Sequence, residues 1–172
     1  MATKMRREIE PRWVSEYVAV NYGNFPARFR VPLGAIPREL QESVGSEKAQ
    51  AMFRPWRPEI DAIVIMPRHL ILIEGKIFKL MDGVSKLPVY KSLVPLTPEL
   101  KEYANREIVM QLLCVRALPW VQQSASAMDV KLIEWAPEWV VKIWEERDKY
   151  WTRESTIKRE ERKKLLRSLG FD

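Results

Sequence analysis

Three charged residues, Asp61, Glu74 and Lys76, stand in stretches otherwise rich in Ile, Val and Leu. The stretches run from Glu59 to Met66 and from His69 to Phe78, with Pro67-Arg68 at the bend between them. Both have the composition of strands, and together they predict a β-hairpin. Strand side chains alternate faces, so Leu70, Leu72, Glu74, Lys76 and Phe78 share one face, and Glu59, Asp61, Ile63 and Ile65 share one face of the other strand. A four-residue loop over 66–69 pairs Ile65 with Leu70. Asp61 then lies opposite Glu74, and Glu59 opposite Lys76. Opposed residues bring their Cβ atoms to roughly 4.5–5.5 Å. Two carboxylates that close repel, and one takes up a proton unless a cation lies between them. A divalent cation resolves the conflict: Mg²⁺ prefers oxygen ligands and accepts one or two carboxylates plus waters and phosphate oxygens. Lys76, on the same face, reaches an attacking water or a scissile phosphate. That chemistry is metal-assisted phosphodiester hydrolysis. The alternative is a solvated sheet face that merely carries charge. Against it, Ile63, Ile65, Leu70 and Leu72 occupy the same face, as at the rim of a core.

The elements that must position these residues are less sharply written. Residues 1–12 read as a loose or helical arm. Tyr17 to Tyr22 and Ala27 to Leu33 read as two strands of a hairpin around Gly23-Asn24-Phe25-Pro26. Pro37 to Phe53 reads as a helix with Ile36, Leu40 and Val44 on one face; Gly45 weakens it, and Ser46 is placed to cap a second, shorter helix from Glu47. Arg54-Pro55-Trp56-Arg57-Pro58 is a stiff connector. After the central hairpin, Asp82-Gly83 signals a turn. Ser85 to Tyr103 is helical, cut by Pro88, Pro95 and Pro98. Glu107 to Val115 predicts a buried strand, with helix as the competing reading. Ala117 to Ala127 predicts a helix and Val130 to Trp135 a short strand. Pro137 opens a long helix with Val140, Ile143, Trp144, Arg147 and Trp151 at helical spacing, continuing to Leu169 with Gly170 as its stop. The order implies an α/β or α+β fold with a mixed sheet. The boundaries divide a single domain into an N-terminal arm and hairpin (1–36), a core (37–135) and a C-terminal helical extension (136–172).

Asp61 followed by Glu74-Gly75-Lys76 on the next strand resembles the core of the PD-(D/E)XK nuclease superfamily, over about residues 37–115. Ile60 stands where the family pattern has proline. The resemblance implies a restriction-endonuclease-like mixed sheet flanked by helices, built in the order helix, three strands, helix, strand. By that resemblance Asp61 and Glu74 hold Mg²⁺ or Mn²⁺ and Lys76 is the catalytic lysine. A first-helix glutamate often joins them, for which Glu42 and Glu47 are the candidates, with Glu39 a third. The implied partner is DNA.

Composition bounds the rest. In 172 residues, 29 Lys and Arg face 23 Asp and Glu, a net charge of +6 that favours polyanions. The excess lies at the ends, +2 over residues 1–12 and +3 over 152–172. Arg54, Arg57, Arg68, Lys79, Lys163 and Lys164 are the candidate nucleic-acid contacts. A single cysteine and a single histidine exclude a disulfide framework, a cysteine-rich zinc site and a two-histidine metal site. Cys114 reads as a buried thiol and His69 as a turn residue. No P-loop or dinucleotide fingerprint occurs. No apolar run approaches the roughly 20 residues of a membrane span, and the N-terminus lacks the apolar region of a secretory signal. The expected address is cytoplasmic, or a virion. Seven tryptophans are many for this length. Trp135, Trp139, Trp144 and Trp151 suit packing of the last helix, while Trp13 and Trp56 lie beside arginines, as base-stacking residues do, and equally suit core anchors or an oligomer interface. A Trp-rich surface and a charged C-terminal helix also suit a protein partner or homo-oligomer. The rival to catalysis is thus a non-catalytic, nuclease-like assembly protein of a virus or phage particle or nucleoprotein complex. A plain nucleic-acid-binding module is a third option.

Overall fold

A computed structural model describes residues 2–148, 157, 160–162, 164 and 165, with side chains of 2–8, 147 and 148 left aside. The chain divides into two compact units, 1–135 and 136–172. The first begins with helix α1 (Ala2–Tyr22), followed by strand β1 (Ala27–Pro32) and helices α2 (Arg38–Val44) and α3 (Ser46–Phe53). A 3₁₀ turn at Arg54–Trp56 leads to β2 (Glu59–Ile65) and β3 (His69–Lys76). Then come α4 (Leu80–Leu93), 3₁₀ turns at Val94–Leu96 and Pro98–Tyr103, β4 (Glu107–Cys114), α5 (Pro119–Ala127) and β5 (Val130–Glu134). The fold is mixed α/β, with one five-stranded sheet in sequential order flanked by helices. β1–β2 and β2–β3 are antiparallel, β3–β4 and β4–β5 parallel. Among the described residues no helix is long and apolar enough to cross a membrane.

The hairpin has the register that its loop length predicts: Ile65 pairs with Leu70 and Ile63 with Leu72. Ile63, Ile65, Leu70 and Leu72 form the core with Met110, Leu112, Val130 and the α4 residues Val84, Leu87 and Tyr90. α1 packs on β1, β2 and β3, burying Trp13, Val14, Tyr17 and Val18. Their spacing is one helical stripe. Fully burying side chains of this size stabilises by roughly 1.5–3 kcal/mol each.

That stripe corrects the expected N-terminal hairpin. Tyr17 to Tyr22 is the last turn and a half of α1, not a strand, and Pro11 lies inside the helix. β1 therefore pairs with β2. Residues 37–53 form two helices, with the break and the second, shorter helix that Gly45-Ser46 suggested; Ser46 opens α3 rather than capping it, and Gly45 is the N-cap, with a φ of 84° that only glycine takes readily. Asp82-Gly83 belongs to α4 rather than to a turn. Tertiary packing overrides the local turn signal there: a Cβ on Gly83 would run into Leu112 Cδ1 and lie 3.1 Å from Lys76 Cγ. Glycine thus lets the helix close onto β3 and β4.

The second unit contains α6 (Glu138–Asp148). Residues 157, 160–162, 164 and 165 are helical; Trp151, Leu169 and Gly170, invoked for one continuous helix, lie outside the described residues.

Candidate active site

The candidate side chains gather at the C-terminal end of β3. Glu74 and Lys76 point to the α4 side of the sheet by strand alternation, and Gly75 to the α1 side. The β2–β3 ladder ends at Ala62–Ile73, so the next register position sets Asp61 against Glu74. The Asp61 carboxylate reaches across and accepts the Gly75 N–H at 2.8 Å. α1 can cross here only because residue 75 is glycine: a Cβ would lie 2.6 Å from Val14 Cγ2.

Glu74 is 3% exposed. One oxygen, Oε1, pairs with Lys76 Nζ at 3.1 Å. The other, Oε2, is buried without a hydrogen-bond partner. Burial, then the neighbouring Asp61 charge, push the Glu74 carboxyl up to about 7, against the pull of Lys76. Burial likewise raises Asp61, although the Gly75 N–H and Lys76 favour its charged form. Burial alone would depress Lys76, but Glu74, Glu10 and Asp61 outweigh it and hold the ammonium above the ordinary lysine range. Lys76 is therefore a fixed cation at neutral pH. A solvated sheet face would show none of this.

Glu10 was not legible as a site residue. Its Oε2 lies 3.2 Å from Lys76 Nζ, and its Oε1 accepts the Ile77 N–H at 3.2 Å. The first-helix acid at this cluster is thus on α1. Glu39, Glu42 and Glu47 are exposed on α2 and α3, and the strongest charges on Asp61, Glu74 and Lys76 do not include them. A signal did exist: extending the stripe of Trp13, Val14 and Tyr17 back one turn lands on Glu10. Glu59, expected opposite Lys76, instead bridges Arg30 at 2.8 Å and Arg54 at 3.3 Å.

The expected nucleic-acid contacts separate. Arg57 is buried, its guanidinium bound to both oxygens of Glu99 at 2.6 and 2.8 Å and to the Pro32 carbonyl at 2.9 Å. Its role is internal. Arg68 and Lys79 are exposed at opposite ends of β3, Lys79 near the cluster. Arg54 is exposed beside Glu59. Lys164 is exposed, and Lys163 lies outside the described residues. Lys86 was not anticipated; it is exposed on α4, and its charge acts on Asp61 and Glu74. Cys114 is buried, with its thiol pushed up to about 12 by burial. His69 pairs with Glu107 at 3.0 Å. Trp13 is fully buried, its indole N–H donating to the Trp135 carbonyl at 3.1 Å.

No protein family, curated protein or solved structure compared with this chain matches it. The reading of the cluster therefore rests on its own chemistry. Among the described residues, no group of three or more His, Cys, Asp or Glu side chains is arranged to hold a metal ion. The donors available are the oxygens of Asp61 and Glu74. An unpartnered, buried carboxylate oxygen next to a second carboxylate fits Mg²⁺, which completes its shell with waters and phosphate oxygens.

Proposed function

We propose that the chain is a PD-(D/E)XK-type nuclease with a restriction-endonuclease-like core, hydrolysing phosphodiester bonds in DNA with Mg²⁺ or Mn²⁺. The observation that carries this reading is Glu74 Oε2, buried and unpartnered beside Asp61 and Lys76. The order of elements supports it. Helix α1, strands β1, β2 and β3, helix α4 and strand β4 follow the sequence that the resemblance implies, with α2 and α3 inserted after β1.

Asp61 and Glu74 would hold the metal, which when bound supplies a Lewis acid and an acidified water. Lys76 would stabilise negative charge developing on the phosphate, as a preorganised cation in a site shielded from water. Glu10 and Glu74 fix the ammonium in place. Glu10 also takes the Ile77 N–H and so ties α1 to the end of β3. The nuclease reading implies DNA as partner and a cytoplasmic address; its rival implies a protein assembly or homo-oligomer, in a virion or nucleoprotein complex.

One observation favours the rival, a non-catalytic nuclease-like assembly protein. Lys76 already pairs with two carboxylates, a network that holds together without a metal. Cleavage assays on single- and double-stranded DNA with Mg²⁺ or Mn²⁺ decide between them. The nuclease cleaves; Asp61→Asn and Glu74→Gln abolish both cleavage and Mn²⁺ binding by calorimetry, and Lys76→Ala slows cleavage by about 10²–10³-fold, the size of effect seen when one charge-stabilising donor is lost. A parent protein that neither cleaves nor binds Mn²⁺ at millimolar concentration overturns the nuclease reading.

A further inference from the structure

Beside the carboxylate cluster, on the β1 side, lies a second constellation that the hydrolysis chemistry does not use. Trp56 is 74% exposed, the most exposed of the large hydrophobic side chains described. Its ring stacks on Phe53 with centroids 6.1 Å apart and planes 21° from parallel. One face of the indole is thereby held, and the high exposure leaves the other to solvent.

Two exposed arginines adjoin it. Arg54, two residues before Trp56, donates to the Arg30 carbonyl at 3.0 Å and to Glu59 at 3.3 Å. Arg30 donates to the other Glu59 oxygen at 2.8 Å. Two cations thus share one carboxylate, leaving an unbalanced positive charge at the surface. The register carries this charge to the candidate site. Phe29 pairs with Ala62 and Val31 with Ile60, so Arg30 falls between them, across from Asp61. Arg30 has a positive φ of 52°, a conformation unusual for a side chain of this size. Asp61 contributes to raising the Arg30 pKa, after Glu59. Glu59 precedes Asp61 by two residues on the same strand face, a rise of roughly 6.6 Å.

We propose that Trp56, Arg54 and Arg30 form a subsite for single-stranded DNA, in which an unpaired base stacks on Trp56 and the adjoining phosphates lie along Arg54 and Arg30 toward Asp61 and Glu74. An aromatic ring open on one face takes a base that is already unstacked, whereas duplex bases are stacked on each other. Arginines with more charge than their counter-ion neutralises attract the phosphates. The proposal deepens the nuclease reading and rests on it for the direction in which the strand runs.

The test is fluorescence anisotropy of a labelled oligothymidylate with the full chain, in chelator so that no cleavage intervenes. Trp56→Ala weakens binding by about 5- to 150-fold, the 1–3 kcal/mol that one stacked base contributes. Trp56→Phe keeps most of the affinity. Trp120→Ala, at another exposed tryptophan, leaves it unchanged. Arg54→Gln lowers the slope of log affinity against log salt by about 0.7. A parent that binds no oligothymidylate, that prefers a blunt duplex, or whose affinity Trp56→Ala leaves intact overturns the subsite. Cleavage assays separate the two proposals. Trp56-dependent binding without metal-dependent cleavage removes the nuclease and keeps the subsite. Single-strand cleavage lost in Asp61→Asn, with KM unchanged in Trp56→Ala, does the reverse.

Discussion

Two ionic groups are buried among the described residues of the first unit, and they are built on opposite terms. Arg57 and Glu99 form a closed pair, with a bidentate contact, the Pro32 carbonyl at 2.9 Å and the Leu33 carbonyl at 3.4 Å. Partial burial pushes the Glu99 carboxyl up, but Arg57 outweighs it and holds the carboxyl below its ordinary range. At the end of β3, three carboxylates surround Lys76, one oxygen has no partner, and both Asp61 and Glu74 are raised. A protein that needs a buried charge only for packing satisfies it, as at Arg57. An excess of carboxylate around one cation is costly to fold and suits a ligand that arrives later.

Breaking the closed pair has the largest effect. Arg57→Ala strands a partly buried carboxylate and two carbonyls, and stability falls by about 3 kcal/mol, the lower end for a buried pair because Glu99 retains a quarter of its exposure. Urea denaturation measures it. Gly75→Ala comes next: the Cβ meets Val14, and overpacking costs about 1–3 kcal/mol. It also shifts α1, so Glu10 leaves Lys76; if the proposed nuclease reading holds, cleavage falls even under conditions where the variant remains folded.

The smallest and sharpest test is the pH dependence of the urea midpoint. Glu74 has a folded pKa of about 7, raised from 4.5. Its folded form holds the proton more tightly, so its contribution is fully present below pH 4.5 and is lost as pH rises to about 7. Glu74→Gln removes that decline and is neutral or stabilising above pH 7. Glu99, with a lowered pKa, behaves oppositely: its contribution is present above its unfolded value and is lost as pH falls through its folded one. Glu99→Gln therefore flattens the acid side of the profile and leaves the neutral side unchanged in shape.

The two clusters also differ in how far the sequence discloses them. The hairpin register was legible because a short loop at Pro67-Arg68 sets it locally, and that register brought Asp61 to Glu74. Glu10 was hidden because Pro11 beside it reads as a break, and because Tyr17 to Tyr22 has the composition of a strand. Only the 3.6-residue stripe through Trp13 and Val14 distinguishes helix there. Arg57 read as a phosphate contact because its partner lies 42 residues away, and nothing local announces a distant counter-ion. Gly83 read as a turn because Asp-Gly usually is one; its tight contact with Leu112 exists only in the assembled fold.

The pairing of Lys76 with Glu10 spans 66 residues of chain. The cluster is complete only when α1 has docked. A chain whose sheet has formed but whose first helix has not still carries Asp61, Glu74 and Lys76, lacking its counter-ion from α1. Lys76 thus keeps both of its side-chain counter-ions only while α1 stays docked on β3, which makes the cluster a readout of that docking.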